Sequence, residues 1–167
     1  MFSSQLLFDE GFIRTFIEDH QYDDLIKAAI EQHNKYKIDE GFDERTLLFI
    51  HLIRDADKLD NFRVKEEEDI ENTLYASAEV VNQEKISPEI YKQFYNQELI
   101  YAPYRKTRLD MWLSYIAFIF DLHFPQSLQY IQENNWVHRS FDRLNPQDQK
   151  THKQYTILRQ RALDYIK

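Results

Sequence analysis

The chain has 167 residues, 21 of them basic and 29 acidic, for a formal charge of −8, with two glycines, four prolines and no cysteine. Glycine and proline make up roughly 12% of an average protein, and β-sandwiches, barrels and Rossmann-type folds need more turn residues and phosphate-approaching glycines than this chain holds. The acidic balance disfavours nucleic acid and anionic lipid as partners, and the lack of thiols excludes disulfides, zinc ribbons and thiol catalysis while suiting a reducing, cytoplasmic setting. We expect one all-α domain with no membrane segment.

Apolar spacing predicts a first helix from about Ser4 to Ile17, broken at Gly11. The next, about Tyr22 to Asn34, places Tyr22, Leu25, Ile26, Ala29, Ile30 and His33 on one stripe, so that His33 continues an apolar face. Asp43 is positioned to cap a third helix from about Glu44 to Asn61. At about 100° per residue this helix gathers Leu48, Phe49, Leu52, Ile53, Ala56 and Leu59 on a core-facing side, and His51, Arg54 and Lys58 on the opposite, solvated side. Asp60 falls inside the apolar arc and Asp57 on its flank. Carboxylates turned towards a core must be satisfied, so this helix is the place to look for chemistry.

The charge run Lys65 to Asp69 reads as a solvated helix start, followed by a stripe of Ile70, Leu74, Ala78 and Val81. Ser87-Pro88-Glu89 reads as N-cap, first-turn proline and an acid at the positive helix end, opening a helix to about Glu98. Thr107 and Asp110 form a capping pair ahead of a central buried helix, Met111 to Phe120. Pro125 opens another helix, and Asn145-Pro146 caps a last one carrying Tyr155, Leu158, Ala162, Tyr165 and Ile166.

A neutral imidazole and a carboxylate on adjacent helices are suitable ligands for Mn²⁺, Fe²⁺, Zn²⁺ or Mg²⁺, and His33 and Asp57 meet that description. On spacing alone, a satisfied boundary histidine and a capping or ion-paired aspartate also explain them. Lys58 and Arg54, and Arg105, Lys106 and Arg108 ahead of the central helix, are candidate contacts for a phosphorylated or nucleotide substrate, with solvated charge and salt bridges as the alternative. Asp110 is either a carboxylate supporting a ligand or simply the cap that its position makes it. Tyr101, Tyr104, Trp112 and Tyr115 are either core or a stacking platform for a base.

The segment Ala29-Ile30-Glu31-Gln32-His33-Asn34, followed by Leu52-Ile53-Arg54-Asp55-Ala56-Asp57-Lys58-Leu59-Asp60, resembles the distal half of the HD superfamily of metal-dependent phosphohydrolases. The resemblance covers about residues 8–64 and extends to the helix near Asp110. It implies an all-helical core over 1–64, a C-terminal helical part over 65–167, and a divalent metal activating water for hydrolysis of a phosphate ester. Asp57 maps to the family's last metal-binding Asp, and His33 to an additional His of members that bind two metals. The family's His-Asp dyad has no counterpart: the six histidines are followed by Gln21, Asn34, Leu52, Phe124, Arg139 and Lys153.

The first helices of the domain are therefore expected to be missing, in a fragment of a longer protein or in a natural remnant. The resemblance then implies a metal held weakly or not at all, and a chain inactive on its own. The alternative is a non-catalytic helical module acting through association. Absent helices would expose the apolar faces of the His33 and Asp57 helices, so a homo-oligomer is expected.

Overall fold

The computed structural model describes residues 2–167, and all regular structure among them is helical. The α-helices are α1 (Phe2–Ser4), α2 (Asp23–Gln32), α3 (Glu44–Glu67), α4 (Ile70–Leu74), α5 (Ala78–Val81), α6 (Pro88–Tyr95), α7 (Arg108–Ile116), α8 (Pro125–Glu133), α9 (Trp136–Asp142) and α10 (Gln149–Tyr165). The all-α class expected from composition is the class the chain adopts. No helix among the described residues is long and apolar enough to cross a membrane. The chain divides into two compact units, Met1–Asp57 and Lys58–Lys167, with the division inside α3.

In the first unit, the helical segment expected from Ser4 to Ile17 with a break at Gly11 is built of α1, a π-helical turn at Gln5–Asp9 and, after Gly11, a 3₁₀ turn at Phe12–Thr15. Gly11 stands between the turns at φ 77°, a left-handed geometry that glycine adopts without a Cβ penalty. The Ser4 hydroxyl donates to Glu31 at 2.7 Å, tying this segment to α2. Asp43 accepts from the Thr46 N–H at 2.7 Å, the cap expected at the start of α3.

The second unit holds a continuous core that includes Phe62, Leu74, Ile90, Phe94, Leu113, Ile131, Phe141 and Leu158. The α7 segment lies at its centre, with Leu109, Trp112, Leu113 and Ile116 all buried. Its capping box forms as expected: Thr107 accepts from the Asp110 N–H, and Asp110 accepts from the Thr107 N–H. The helical path then tightens into a 3₁₀ turn at Ala117–Asp121.

Ser87 occupies the N-cap position of α6, but its hydroxyl donates to Asp110 rather than closing its own helix. The run Lys65 to Asp69 does not start a helix: Lys65 is in the last turn of α3, and Asp69 is the N-cap of α4. At the last helix the cap is Asp148, because the backbone N–H groups of Asn145 and Gln147 donate to Asn82. The Asp148 carboxyl accepts from Thr151 and is held below the ordinary aspartate range by that backbone hydrogen bond first.

Candidate functional site

The face of α3 is reversed from the sequence expectation. Leu48, Phe49, Leu52 and Ile53 are exposed at 50%, 37%, 50% and 39%, whereas Arg54, Asp55 and Lys58 are buried. The reason lies in what surrounds those charges. An α-helix leaves its last carbonyls without intrahelical donors, and a cation there also meets the negative end of the helix dipole. Arg54 fills that role for α2: one guanidinium nitrogen donates to the carbonyls of Gln32 at 2.8 Å, His33 at 3.2 Å and Lys35 at 2.7 Å. A buried guanidinium with three acceptors has repaid much of its desolvation, so the helix turns that side inward. Ile50, one turn before Arg54, is fully buried on the same side of α3.

Arg54 also determines where the candidate ligands lie. His33 is the C-cap of α2, half-buried, and the carbonyl it offers is one of those bound by Arg54. Asp57 is half-buried one turn further along α3, about 4.5 Å along the axis and about 60° around it from Arg54. The end of the His33 helix and the Asp57 helix are thus pinned together by one side chain. The His33 Nδ1 lies 2.6 Å from the Ile30 carbonyl, which can only accept, so Nδ1 is the donor there and Nε2 is the nitrogen left to accept in the neutral ring. That is the orientation seen for ligating histidines, whose second nitrogen is commonly tied to a carbonyl. The loop after α2 is fixed as well: the Gln32 side chain donates to Asp39 at 2.9 Å and accepts from its backbone N–H at 3.1 Å.

Two donors fall short of the three or four protein ligands that hold a divalent ion. No group of three or more His, Asp or Glu side chains suited to a metal occurs among the described residues. The residues present therefore do not fit a resident divalent ion as a closed set.

Of the proposed phosphate contacts, Arg54 is taken up by the carbonyls at the end of α2, and those of the second unit do not converge. Lys58 is paired with Asp121 at 2.9 Å, its side chain only 5% exposed, so it is not the solvated charge that the wheel suggested. Asp121 ends the helical path that Arg108 begins, and that path spans roughly 20 Å. Arg108 binds Glu84 at 2.9 Å, and the same carboxylate accepts from the N–H groups of Arg108 at 2.6 Å and Leu109 at 3.0 Å. Glu84 thus supplies the negative charge that the start of α7 favours and offsets the local cations. Arg105 donates to the Ala102 carbonyl at 3.1 Å and the Ser114 hydroxyl at 3.2 Å.

Asp110 is fully buried and accepts four hydrogen bonds: Ser87 N–H at 2.9 Å, Ser87 O–H at 2.6 Å, Lys106 N–H at 2.9 Å and Thr107 N–H at 3.2 Å. Its role is to join the start of α6 to the start of α7. Trp112 is core, with its indole N–H donating to the Ser140 carbonyl at 3.1 Å, whereas Tyr101 and Tyr104 are exposed and pack edge to face at 5.3 Å. Sequence reasoning missed Glu66, whose buried carboxylate binds Arg139 at 2.9 Å and accepts from Ser140 at 3.1 Å. Its position within a charge run gave no sign of burial.

Comparisons with protein-family models, with curated proteins and with solved structures found no match for this chain.

Proposed function

We propose that this chain is a catalytically silent relative of the HD metal-dependent phosphohydrolases, with His33 and Asp57 as the remaining donors of a metal site it does not complete. The observation that carries the reading is the Arg54 clamp, which joins the end of the His33 helix to the helix of the Ala56-Asp57-Lys58-Leu59 motif. The fixed tautomer of His33, with Nε2 as the acceptor nitrogen, supports it further. In such a protein the helical scaffold outlives the chemistry, because buried contacts such as Arg54 and Asp110 maintain the fold and the ligands do not. A chain without cysteine suits a reducing cytoplasm.

Titrating the chain with Mn²⁺ while following the His33 ring by NMR tests the donor pair. Paramagnetic broadening is expected to centre on His33, to be absent in His33→Ala, and to stay unsaturated up to about 1 mM metal, as befits two ligands. One-to-one binding in the low micromolar range would show a third ligand and contradict the reading.

A second reading, a helical module acting by association, is favoured by the exposed apolar side of α3. The two readings are compatible, because a surface that no longer serves a hydrolase can still bind a partner.

A further inference from the structure

In the second unit, the last turn of α8, the first turn of α9 and the end of α10 meet at a cleft of about 410 Å³, within the size range of small-molecule sites. Buried Val137 and Ile166, with half-buried Leu163, form its apolar wall. Gln132, Asn135, His138 and Gln160 place polar groups around it.

Two helix ends set its electrostatic character. The last carbonyls of an α-helix lack intrahelical donors and carry partial negative charge, which a lysine or arginine in the last turn commonly offsets. Neither α8 nor α10 has a basic residue in its last turn. Each carries a carboxylate there instead, Glu133 on α8 and Asp164 on α10.

The polar lining has the matching sense. The Gln160 amide nitrogen donates to Asp164 at 2.9 Å, which anchors that amide by its nitrogen and keeps its carbonyl oxygen available as an acceptor. The cations at the cleft are already paired, Lys167 with Asp164 at 2.7 Å and Arg159 with Asp142 at 2.7 Å. Arg159 also donates to His138 Nδ1 at 3.2 Å, an arrangement in which Nε2 is the donor of the neutral ring. Glu133 has no cationic partner among the described residues, so the two helix ends and this carboxylate leave the cleft net negative.

We propose that the cleft binds an aliphatic ammonium ion, with the –NH₃⁺ group at the ends of α8 and α10 and the methylene chain against Val137, Leu163 and Ile166. A chain of net charge −8 also attracts such a ligand from a distance. Free polyamines and the lysine side chain of a partner protein both carry this chemistry.

Spermidine added to the full 167-residue chain at low ionic strength, followed by backbone-amide NMR, tests the site. Shifts are expected to cluster at Gln132, Val137, His138, Gln160 and Leu163, to saturate with Kd on the order of 0.1–1 mM, and to weaken about ten-fold in about 0.5 M salt. Gln132→Lys and Gln160→Lys each put a cation at one of the two helix ends and are each expected to weaken binding about three- to ten-fold. Both positions are exposed, so the far-UV circular dichroism of the parent is expected to persist. Gln83→Lys makes the same change of net charge at an exposed position outside the cleft, and is expected to leave the affinity within about two-fold.

Nα-acetyl-lysine methylamide, titrated in parallel, separates the two sources. Tighter binding than spermidine assigns the site to a lysine side chain, weaker binding assigns it to a free polyamine, and either supports an ammonium site. Hexanol, which has an aliphatic chain without the charge, is expected to leave these amides unshifted. No saturable shift at the cleft, an equal response to hexanol, or affinity changed alike by Gln83→Lys and the two cleft variants would overturn the proposal.

Discussion

Asp110→Ala is expected to cost about 3–5 kcal/mol of folding stability, a large fraction of what a domain of this size holds. The substitution removes one fully buried side chain, but four donors lose their acceptor: the N–H groups of Ser87, Lys106 and Thr107 and the Ser87 hydroxyl. Each is left in a place that water reaches poorly, and the penalty for an orphaned buried donor exceeds the modest net value of a hydrogen bond made. Asp110→Asn keeps one oxygen and turns an amide NH₂ towards donors, so it is expected to lose roughly half as much. Urea unfolding followed by tryptophan fluorescence reads this directly, since both tryptophans, Trp112 and Trp136, are buried in the core of the same unit. A midpoint within error of the parent for Asp110→Ala would show that the hub is dispensable.

Arg54→Met carries the second large expectation, a loss of about 2–4 kcal/mol felt at the C-terminal turn of α2. Methionine fills similar volume, yet it leaves the carbonyls of Gln32, His33 and Lys35 without the donor they share. Arg54→Lys preserves the charge and presents a single ammonium in place of the planar fork, so it should recover only part of the loss. Hydrogen exchange is the suitable readout, because the first unit contains no tryptophan. Amides at the end of α2 are expected to exchange about one to three orders of magnitude faster in Arg54→Met than in the parent. Unchanged exchange there would show that Arg54 does not hold the His33 turn in place.

These two residues also show what a sequence reveals and what it hides. Asp110 was legible as a cap, because a capping box is a local pattern whose donors lie within three residues of it. Its bonds to Ser87, 23 positions upstream, follow from packing α6 beside α7, and nothing in the spacing announces them. The turn at Gly11, the cap at Asp43, the proline at the start of α8 and the buried stripe of α10 were readable for the same local reason.

Arg54 was misread for a physical reason of equal generality. The hydrophobic pattern of α3 scores the side chains of one helix, whereas the decision to bury Arg54 was made by carbonyl groups at the end of another. Backbone acceptors leave no mark on a sequence. Once Arg54 and Lys58 turned inward to Gln32, His33, Lys35 and Asp121, the apolar arc of Leu48, Phe49, Leu52 and Ile53 had to face outward. The clamp that joins the His33 turn to α3 was not legible in the sequence.

We propose that His33 and Asp57 sit on helices that Arg54 joins but lack the power to hydrolyse. A phosphohydrolase assay of the purified chain tests it most directly, with Mn²⁺, Fe²⁺, Zn²⁺ or Mg²⁺ supplied against p-nitrophenyl phosphate and against nucleoside mono- and triphosphates. We expect phosphate release no faster than metal and buffer alone give, and no change in His33→Ala or Asp57→Asn. Turnover above that background that is lost in either variant would contradict the account.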